Sequence, residues 1–481
     1  MTIVGREQEI SILTQAFESE RPEFLAIYGR RRVGKTYLIR EFFKNKGLYF
    51  ELTGIKDASK ASQIKNFSVV YSDTYLRGDR IDSPKDWDDA LNILRKEIEK
   101  KSESQKVIVF FDELPWLASR KSGFLESLDL FWNRYMSSRK NFILVICGSA
   151  AEWMIKKIVS HKGGLHNRLT QPPINLMPFT LIQTEHYLES INVQLERKQL
   201  VDIYMAVGGV AYYLNLIPRG KSSAEIISSL FFSKQAPLLA EFRNLFDSLY
   251  DNPQKHIEVI KILAQTRHGL TQTEIFNKVK SLSPGGGAVL VLEELENCGF
   301  LFRVHDFGKK KKDARYRLID GFVLFYLKWV EGQGEFSEHF WIRKQGSASY
   351  YTWAGYAFEN ICFQHYRQIL RGLELSVVAE AKSGWRYLPS KNDVDDGAQI
   401  DLIIDRADKC INLCEIKFCD HELTISKAYV QILRKKKSCF KEKTGTRKTL
   451  FTTMITTYGV KKDSHYLEAV DGQLTMDVLF E

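Results

Sequence analysis

The first third of the chain alternates short, uninterrupted apolar runs with longer amphipathic stretches. The apolar runs are Phe24–Tyr28, Leu48–Leu52, Val107–Phe111 and Phe142–Cys147. Because they lack the polar alternation of a half-buried strand, they are typical of strands covered on both faces, as in a parallel sheet. The pattern predicts an α/β domain over residues 1–178.

Helical periodicity replaces these runs from about residue 180. The helical segments are Glu185–Ser190, Gln199–Ala206 and Ala224–Phe232, and only turn signals such as Gly208-Gly209 interrupt them. This spacing of apolar residues indicates a helical region over residues 179–250.

A third pattern places three short helical segments before two strand-like runs. The helical segments are Ile257–Gln265, Thr271–Val279 and Ala288–Asn297, and the strand-like runs are Phe300–Val304 and Arg315–Ile319. The loop between the two runs contains four consecutive lysines, Lys309, Lys310, Lys311 and Lys312. This order predicts a winged helix over residues 251–335. Residues 336–481 mix helices and strands again and should form a fourth domain.

The composition is that of a globular chain with several cores. Its 481 residues are 44% hydrophobic, which excludes a single small binding module, and the net charge of +10 favours polyanionic partners such as nucleic acid. The seven cysteines contain no C-x-x-C pair, so we expect reduced thiols rather than a disulfide framework. With no basic-then-apolar signal segment and no apolar stretch long enough for a membrane span, we expect a cytoplasmic protein without a membrane partner.

A phosphate-binding motif lies between the first predicted strand and a predicted helix. It fits G-x-x-x-x-G-K-[ST] and consists of Gly29, Arg30, Arg31, Arg32, Val33, Gly34, Lys35 and Thr36. In such a loop, backbone N–H groups surround the phosphates of ATP, the lysine reaches the β and γ oxygens, and the hydroxyl ligates Mg²⁺. The setting makes a chance glycine-rich turn a poor alternative.

Two acids end the strand-like run at Val107–Phe111. Asp112 is placed to hold Mg²⁺, directly or through water, and Glu113 to orient and deprotonate the attacking water. An acidic pair at a strand end is by itself often only a solvated exit. Its combination with Lys35 favours an ATP-hydrolysing site.

With these motifs the chain resembles the AAA+ ATPases, in particular the archaeal-type ATPases close to the STAND class. These proteins open with a Val-Gly-Arg-Glu motif, as Val4-Gly5-Arg6-Glu7 does here, so the resemblance implies that Arg6 contributes to the nucleotide site. It also implies that Ser149, after the fourth run, senses the γ-phosphate. The region over residues 179–250 would be the helical lid, although it lacks the basic sensor of many relatives.

An arginine finger is a further implication of the resemblance. Arg168 occupies the place where AAA+ proteins often carry one, acting on a neighbouring subunit in a homo-oligomer, but Arg134 and Arg139 could do similar work. A plain surface arginine is the alternative at each position.

The C-terminal region contains a second set of candidate catalytic residues. Ile400–Asp405 and Ile411–Lys417 read as two strands joined by a turn, and a hairpin would bring Asp401 near Glu415 and Lys417. Glu415 and Lys417 are two residues apart on one strand and therefore share a face. Two carboxylates beside an ammonium suit phosphodiester hydrolysis, with Asp401 and Glu415 holding Mg²⁺ or Mn²⁺ and Lys417 positioning water or stabilising negative charge.

This set resembles the PD-(D/E)xK nucleases. The resemblance implies a restriction-endonuclease-like α/β domain and makes Glu359, on the helix that Gly355–Glu359 is expected to open, a third acid of the metal site. The proline that often precedes the first acid is replaced by Gln399-Ile400. The alternative is an ordinary hairpin with a salt bridge, because E-x-K alone is a weak motif.

The stretch after the hairpin is strongly basic. It contains a single acid, Glu442, and nine basic residues: Lys427, Arg434, Lys435, Lys436, Lys437, Lys441, Lys443, Arg447 and Lys448. We call residues 427–448 the basic run; such density can hold a phosphate backbone without reading sequence. The third helix of the predicted winged helix carries three acids and no Lys or Arg, so base readout by that helix is not expected.

The sequence therefore predicts an ATP- and Mg²⁺-binding ATPase whose C-terminal domain binds nucleic acid, DNA rather than RNA, and cleaves it. Two alternatives keep an inactive nuclease fold. One is an ATP-dependent DNA-binding regulator, and the other is a STAND-like signalling ATPase that engages a protein partner.

Overall fold

The computed structural model divides into two compact units. Unit 1 comprises residues 1–177 and 248–251, and unit 2 comprises residues 178–247 and 252–481. The residues described are 3–100, 105–149, 151–154, 157–158, 164–250, 252–282, 285–309, 313–333, 337, 339–389 and 397–481. The three further predicted domains, residues 179–250, 251–335 and 336–481, fall almost entirely within unit 2, and their bounds stay predictions.

Unit 1 is an α/β unit built on five strands. Its elements are α1 (Glu7–Glu18), β1 (Glu23–Tyr28), α2 (Lys35–Phe43), β2 (Leu48–Thr53), α3 (Lys60–Tyr75), α4 (Trp87–Glu99), β3 (Val107–Asp112), α5 (Leu114–Leu117), α6 (Phe124–Phe131), β4 (Phe142–Gly148), α7 (Ala151–Met154) and β5 (Ile174–Asn175). The sheet is parallel with the order β2-β3-β4-β1-β5. All four apolar runs are strands, which confirms their interpretation.

Helices cover both faces of this sheet, and alternate residues of each strand point into two separate cores. On β3, Val109 and Phe111 pack with residues of α3, α4 and α6, whereas Ile108 and Phe110 pack with residues of α1 and α2. This double burial explains why the strands show no polar alternation. Because the strands are parallel, their carboxyl ends lie at one edge, where ligands of open α/β sheets bind.

Unit 2 begins with helices. They are α8 (Leu181–Ser190), α9 (Arg197–Val207), α10 (Ala211–Leu214), α11 (Ser223–Phe231) and α12 (Glu241–Leu249), the last two residues of which belong to unit 1. Thr180 and Ser222 cap α8 and α11 with reciprocal hydrogen bonds to Gln183 and Glu225. Such capping boxes fix the helix starts, and the region is helical as predicted.

The next part of unit 2 follows the predicted order of three helices and two strands, with a short strand added. It contains α13 (Gln254–Ala264), β6 (Leu270–Thr271), α14 (Gln272–Lys278), α15 (Gly286–Asn297), β7 (Leu301–Val304), β8 (Arg315–Leu318), α16 (Gly321–Phe325) and α17 (Phe340–Lys344). The strands form an antiparallel sheet of order β6-β8-β7. Of the loop lysines, Lys310, Lys311 and Lys312 lie outside the described residues.

The C-terminal part of unit 2 is a mixed five-stranded sheet with helices. Its elements are α18 (Ala348–Gln364), α19 (Tyr366–Gly372), β9 (Ala379–Tyr387), β10 (Ala398–Arg406), β11 (Cys410–Lys417), α20 (Lys427–Thr444), β12 (Thr449–Thr456), α21 (Ser464–Ala469) and β13 (Gly472–Thr475). The order is β13-β12-β11-β10-β9, with β9, β10 and β11 antiparallel and β11, β12 and β13 parallel. The predicted hairpin is present as β10 and β11, and α20 is the crossover to β12.

The predicted start of one helix was wrong. Ser347 caps α18, which begins at Ala348, seven residues before Gly355. A side chain at Gly355 would meet no neighbouring atom, so this glycine marks neither a turn nor a close contact. Glu359 consequently lies well inside the helix.

Two global predictions can be compared with the structure. None of the helices in the described part of the chain combines the length and apolar composition needed to cross a bilayer. All seven cysteines are described, and each is a reduced thiol rather than half of a disulfide.

Candidate functional site

The loop between β1 and α2 has the backbone of a phosphate-binding loop. Gly29, Arg32 and Gly34 all have positive φ angles, of 143°, 72° and 98°. A Cβ atom at Gly29 would lie 2.4 Å from the carbonyl oxygen of Leu176, so only glycine fits there. Gly34 immediately precedes α2, whose N-terminal N–H groups are the natural contacts for phosphate oxygens.

Lys35 lies within this loop rather than in solvent. Its Nζ donates hydrogen bonds to the carbonyl oxygens of Gly29 and Arg30, at 3.0 and 2.9 Å. Lys35 is only 6% exposed, and its ammonium has no carboxylate among these contacts. A positive charge enclosed by loop carbonyls is prepared to receive phosphate oxygens.

The predicted magnesium ligands meet across the sheet. The hydroxyl Oγ1 of Thr36 donates to Oδ2 of Asp112 at 2.7 Å, although 76 residues separate them in sequence. These two oxygen donors fit Mg²⁺, which is held in nucleotide sites by one or two protein ligands together with phosphate and water. Asp112 also accepts the N–H of Glu113 through Oδ1.

Glu113 is held by the residue predicted to sense the γ-phosphate. Its Oε2 accepts hydrogen bonds from the Oγ and the N–H of Ser149, at 2.7 and 3.2 Å. Glu113 also has a left-handed backbone with φ of 49°. The structure therefore couples the candidate base to the strand end of β4, a contact that the sequence did not predict.

Arg6 connects the start of the chain to this loop. Its guanidinium donates to the carbonyl oxygens of Met177 and Val33, at 2.8 and 3.3 Å. Burial lowers the pKa of Arg6 to about 10, partly offset by Glu9 and Glu7. Arg30 is also buried, whereas Arg31 and Arg32 are partly exposed and Val33 is buried. Through its two hydrogen bonds Arg6 thus holds the backbone of the phosphate-binding loop at Val33 next to Met177.

Arg168 is an exposed residue in a short 3₁₀ turn, Gly164–Arg168. Its Nε lies 3.9 Å from Oδ1 of Asp129 at the end of α6. This long ion pair leaves the side chain 43% exposed. The Arg168 side chain is therefore already exposed, as an arginine finger that acts on a neighbouring molecule has to be.

The C-terminal hairpin brings the second set of predicted residues together. Asp401 lies where the pairing of β10 with β9 shifts register between Ile400 and Ile403, and such irregularities redirect side chains. Its Oδ2 accepts the N–H of Ile416 at 3.0 Å. On β11, Nζ of Lys417 donates to Oε1 of Glu415 at 2.6 Å, which confirms that these two side chains share a face.

A residue that the sequence did not assign to this site completes it. Lys436 of α20 donates to both carboxylate oxygens of Glu415, at 2.8 and 2.6 Å. It lies three residues after Leu433 and four before Phe440, both buried, so it belongs to the inward face of the helix. The signal in the sequence that could have identified Lys436 is its position on the same helix face as the apolar Leu433 and Phe440.

The pKa values of the two acids are shifted in opposite directions. Burial, reinforced by the charges of Glu415 and Glu359, raises the pKa of Asp401 to about 7. Burial also opposes ionisation of Glu415, but Lys417 and Lys436 outweigh it and hold the pKa of Glu415 below its usual value. Burial likewise opposes the charge of Lys417, while Glu415 and Asp401 leave its pKa raised. Perturbed, buried groups of this kind are common at functional sites.

Glu359 has other partners than the predicted metal. Its Oε2 accepts Nε and Nη2 of Arg267, both at 3.0 Å, and its Oε1 accepts Nη1 of Arg317 at 2.7 Å. Within the described ranges, no group of three or more His, Cys, Asp or Glu side chains is arranged to hold a metal ion. The predicted three-acid ligand set is thus not assembled: Asp401 and Glu415 remain, and their two carboxylates still fit a Mg²⁺ or Mn²⁺ that keeps several waters.

Several members of the basic run pair with acids of the same chain. Besides Lys436, the paired residues include Arg434 with Glu468 at 2.7 Å, Lys437 with Asp471 at 3.4 Å, Lys443 with Glu442 at 3.1 Å, and Lys448 with Asp405 at 2.6 Å. Lys427, Lys441 and Arg447 are exposed. The charge that this stretch offers to a polyanion is therefore smaller than its residue count indicates.

Comparisons with known proteins agree with the geometry of unit 1. Residues 3–217 match the family described as an ATPase domain predominantly from Archaea. An uncharacterized protein of Methanocaldococcus jannaschii is 24% identical over 447 residues, 90% of this chain and 92% of the relative. An uncharacterized ATP-binding protein of the same organism is 42% identical over 43 residues, 9% of this chain and 73% of that protein.

Among solved structures, a Walker-type ATPase of Pyrococcus abyssi is similar at 16% identity and a TM-score of 0.45, over 68% of this chain and 96% of that one. The family match and the loop geometry together give the assignment. Residues 3–217 thus resemble this ATPase family in sequence and contain a loop with P-loop geometry, and the likeness implies that this part of the chain binds and hydrolyses ATP with Mg²⁺.

Proposed function

We propose that this protein is an ATPase that binds nucleic acid and cleaves DNA at a metal-dependent site in its C-terminal part. The observation that carries the proposal is the cluster of the buried Asp401 and Glu415 with the half-buried Lys417 at neighbouring positions of β10 and β11. Burial, with the charges of Glu415 and Glu359, raises the pKa of Asp401 to about 7 and so disfavours its ionised form. A bound cation would favour the ionised form.

The cluster supports a division of roles. Asp401 and Glu415 would hold Mg²⁺ or Mn²⁺, which supplies Lewis acidity and lowers the pKa of bound water. Lys417 is already oriented by Glu415 and would stabilise negative charge that develops on the phosphate. Glu359, charge-balanced by Arg267 and Arg317, would orient these groups through its charge rather than bind the metal.

We propose further that the elements α13 to β8 form a winged helix. The order of helices and strands supports this assignment, and α15 is unsuited to reading bases because it carries three glutamates and no Lys or Arg. One of them, Glu294, pairs with His256 inside the domain. DNA contact would therefore come from the wing lysines and from exposed members of the basic run, which bind the phosphate backbone.

DNA cleavage tests the proposal directly. Supercoiled plasmid and single-stranded DNA are incubated with Mn²⁺ or Mg²⁺, with and without ATP, using the parent protein and the Lys417→Ala variant. Lys462→Ala, which removes an exposed lysine after β12, is the matched control. We expect cleavage by the parent and the control and a loss of at least a hundredfold in Lys417→Ala. Equal rates in all three proteins, or no metal dependence, would contradict the proposal.

A second candidate function is an ATP-dependent DNA-binding regulator, or a STAND-like signalling ATPase, whose nuclease fold is inactive. The observation favouring it is that Glu359 and much of the basic run are already neutralised by partners in the same chain. Salt-sensitive DNA binding without cleavage would support the regulator. Absence of both would support signalling through a protein partner.

A further inference from the structure

Both oxygens of Glu415 already carry an ammonium partner. Lys436 donates to Oε1 and Oε2, whereas Lys417 touches only Oε1. Glu415 is 5% exposed, so these contacts rather than water compensate its charge. The carboxylate fork that a divalent cation would approach is thus occupied by the ammonium of Lys436.

The formal charges of four side chains in this cluster sum to zero without a metal. When Asp401 and Glu415 are ionised, their two negative charges match the positive charges of Lys417 and Lys436. A divalent cation bound by the two acids would place two further positive charges within a few ångströms of both ammonium groups. Like charges at that distance in a buried site repel strongly, so one ammonium has to leave.

The contacts with Glu415 single out Lys436 as the ammonium that a bound cation would displace. It bridges the two oxygens of Glu415, so a cation on Oε2 meets Lys436 and not Lys417. The side chain of Lys436 is 22% exposed and that of Lys417 is 34% exposed, so solvent access does not distinguish the two lysines and their contacts with Glu415 do. Glu415, Lys436 and Thr452 also border a cavity of about 10 Å³, roughly the volume that one water needs.

We propose that Lys436 is a displaceable internal cation: it neutralises Glu415 while the metal is absent, and divalent metal binding at Asp401 and Glu415 expels it. This inference rests on the proposed metal site. Lys436 is then a positioning residue that lowers the affinity of the site for metal. Metal binding competes with the ion pair between Lys436 and Glu415 and therefore requires a higher metal concentration.

Manganese affinity tests the inference without any cleavage assay. Mn²⁺ is titrated into the full-length, nucleotide-free protein at pH 8, and free Mn²⁺ is followed by electron paramagnetic resonance. The proteins are the parent, Asp401→Asn, Lys436→Met, and Lys441→Met as a control that removes the same charge from an exposed position of α20. We expect the Kd of the Asp401-dependent site to fall at least tenfold in Lys436→Met and to change less than twofold in Lys441→Met.

Lys436→Gln provides a second comparison, because it keeps a hydrogen-bond donor near Glu415 without the charge and should also bind Mn²⁺ more tightly. If Lys436→Met is poorly folded, the Gln variant decides. If the Mn²⁺ affinity is unchanged in both folded variants while binding still depends on Asp401, the proposed displacement of Lys436 is overturned and the metal site itself is not. Binding that does not depend on Asp401 in the parent would instead overturn the metal site itself and the proposed nuclease function.

Discussion

Substituting Asp401 by asparagine should stabilise the metal-free protein at alkaline pH. Asp401 is 6% exposed, and burial, Glu415 and Glu359 raise its pKa to about 7 in the folded chain. In the unfolded chain an aspartate titrates near its ordinary value of about 3.9. The folded state therefore holds this proton more tightly than the unfolded state does.

The sign and size of the effect follow from that difference. Below about pH 4 the carboxyl is protonated in both states and contributes no pH dependence. Between about pH 4 and pH 7 only the unfolded state releases the proton, so the free energy of unfolding falls by about 1.4 kcal/mol per pH unit. Above pH 7 both states are ionised and the loss levels off at about 4 kcal/mol. Asparagine does not titrate, so the variant avoids this loss.

Hydrogen exchange measured by mass spectrometry on peptides from β10 and β11 is the suitable assay. It reports the opening of this hairpin, whereas global unfolding of a two-unit chain is not expected to be two-state. With metal removed by a chelator, Asp401→Asn should gain protection relative to the parent at pH 8 and little at pH 4.5, after correction for intrinsic exchange. An advantage that is the same at both pH values, or lower protection of the variant at pH 8, would refute the reasoning.

Three further predictions concern the ATPase domain and the basic run. Lys35→Ala should weaken ATP binding at least tenfold, because the lysine contacts ground-state phosphates. Glu113→Gln should bind ATP normally and lose turnover at least a hundredfold, because the glutamate acts on water. Equilibrium binding and phosphate release measure these two effects, and equal binding loss in both variants would contradict the assigned roles. If Arg168 acts on a neighbouring subunit, mixing Arg168→Ala with Lys35→Ala protein should restore turnover, and no restoration in a mixed oligomer argues against action in trans. Lys441→Ser together with Arg447→Ser should reduce the slope of log DNA affinity against log salt by up to about two units, one for each lost phosphate contact, and an unchanged slope would mean that neither residue touches DNA.

Local sequence was sufficient for most of the fold. The strands of unit 1 were predictable because both faces of each strand are buried, which leaves a simple apolar run such as Val107–Phe111. The hairpin was predictable from two such runs and a short turn. The start of α18 was missed because Gly355 resembled a boundary, although a glycine inside a helix costs only about 1 kcal/mol and tertiary packing overrides it.

The sites were predictable only where a motif or a strand register places residues together. Thr36 and Asp112 meet because a parallel sheet aligns its strand ends, and Glu415 and Lys417 share a face by strand periodicity. The partners of Glu359 follow no such rule: Arg267 and Arg317 are 92 and 42 residues away in sequence, and only the tertiary fold joins them. The internal ion pairs of the basic run were not predictable for a related reason, since several of its acid partners lie on other elements.

The distribution of the thiols makes the candidate nuclease site accessible to spectroscopy in the native sequence. Cys147, Cys298, Cys362 and Cys414 are buried, whereas Cys410, Cys419 and Cys439 are partly exposed. Cys419 follows Lys417 by two positions, and Cys439 follows Lys436 by three. After replacement of Cys410 by serine, spin labels on these two thiols would measure the separation between the end of β11 and helix α20 directly. These two native thiols thus allow a distance measurement across the contact between Lys436 and Glu415.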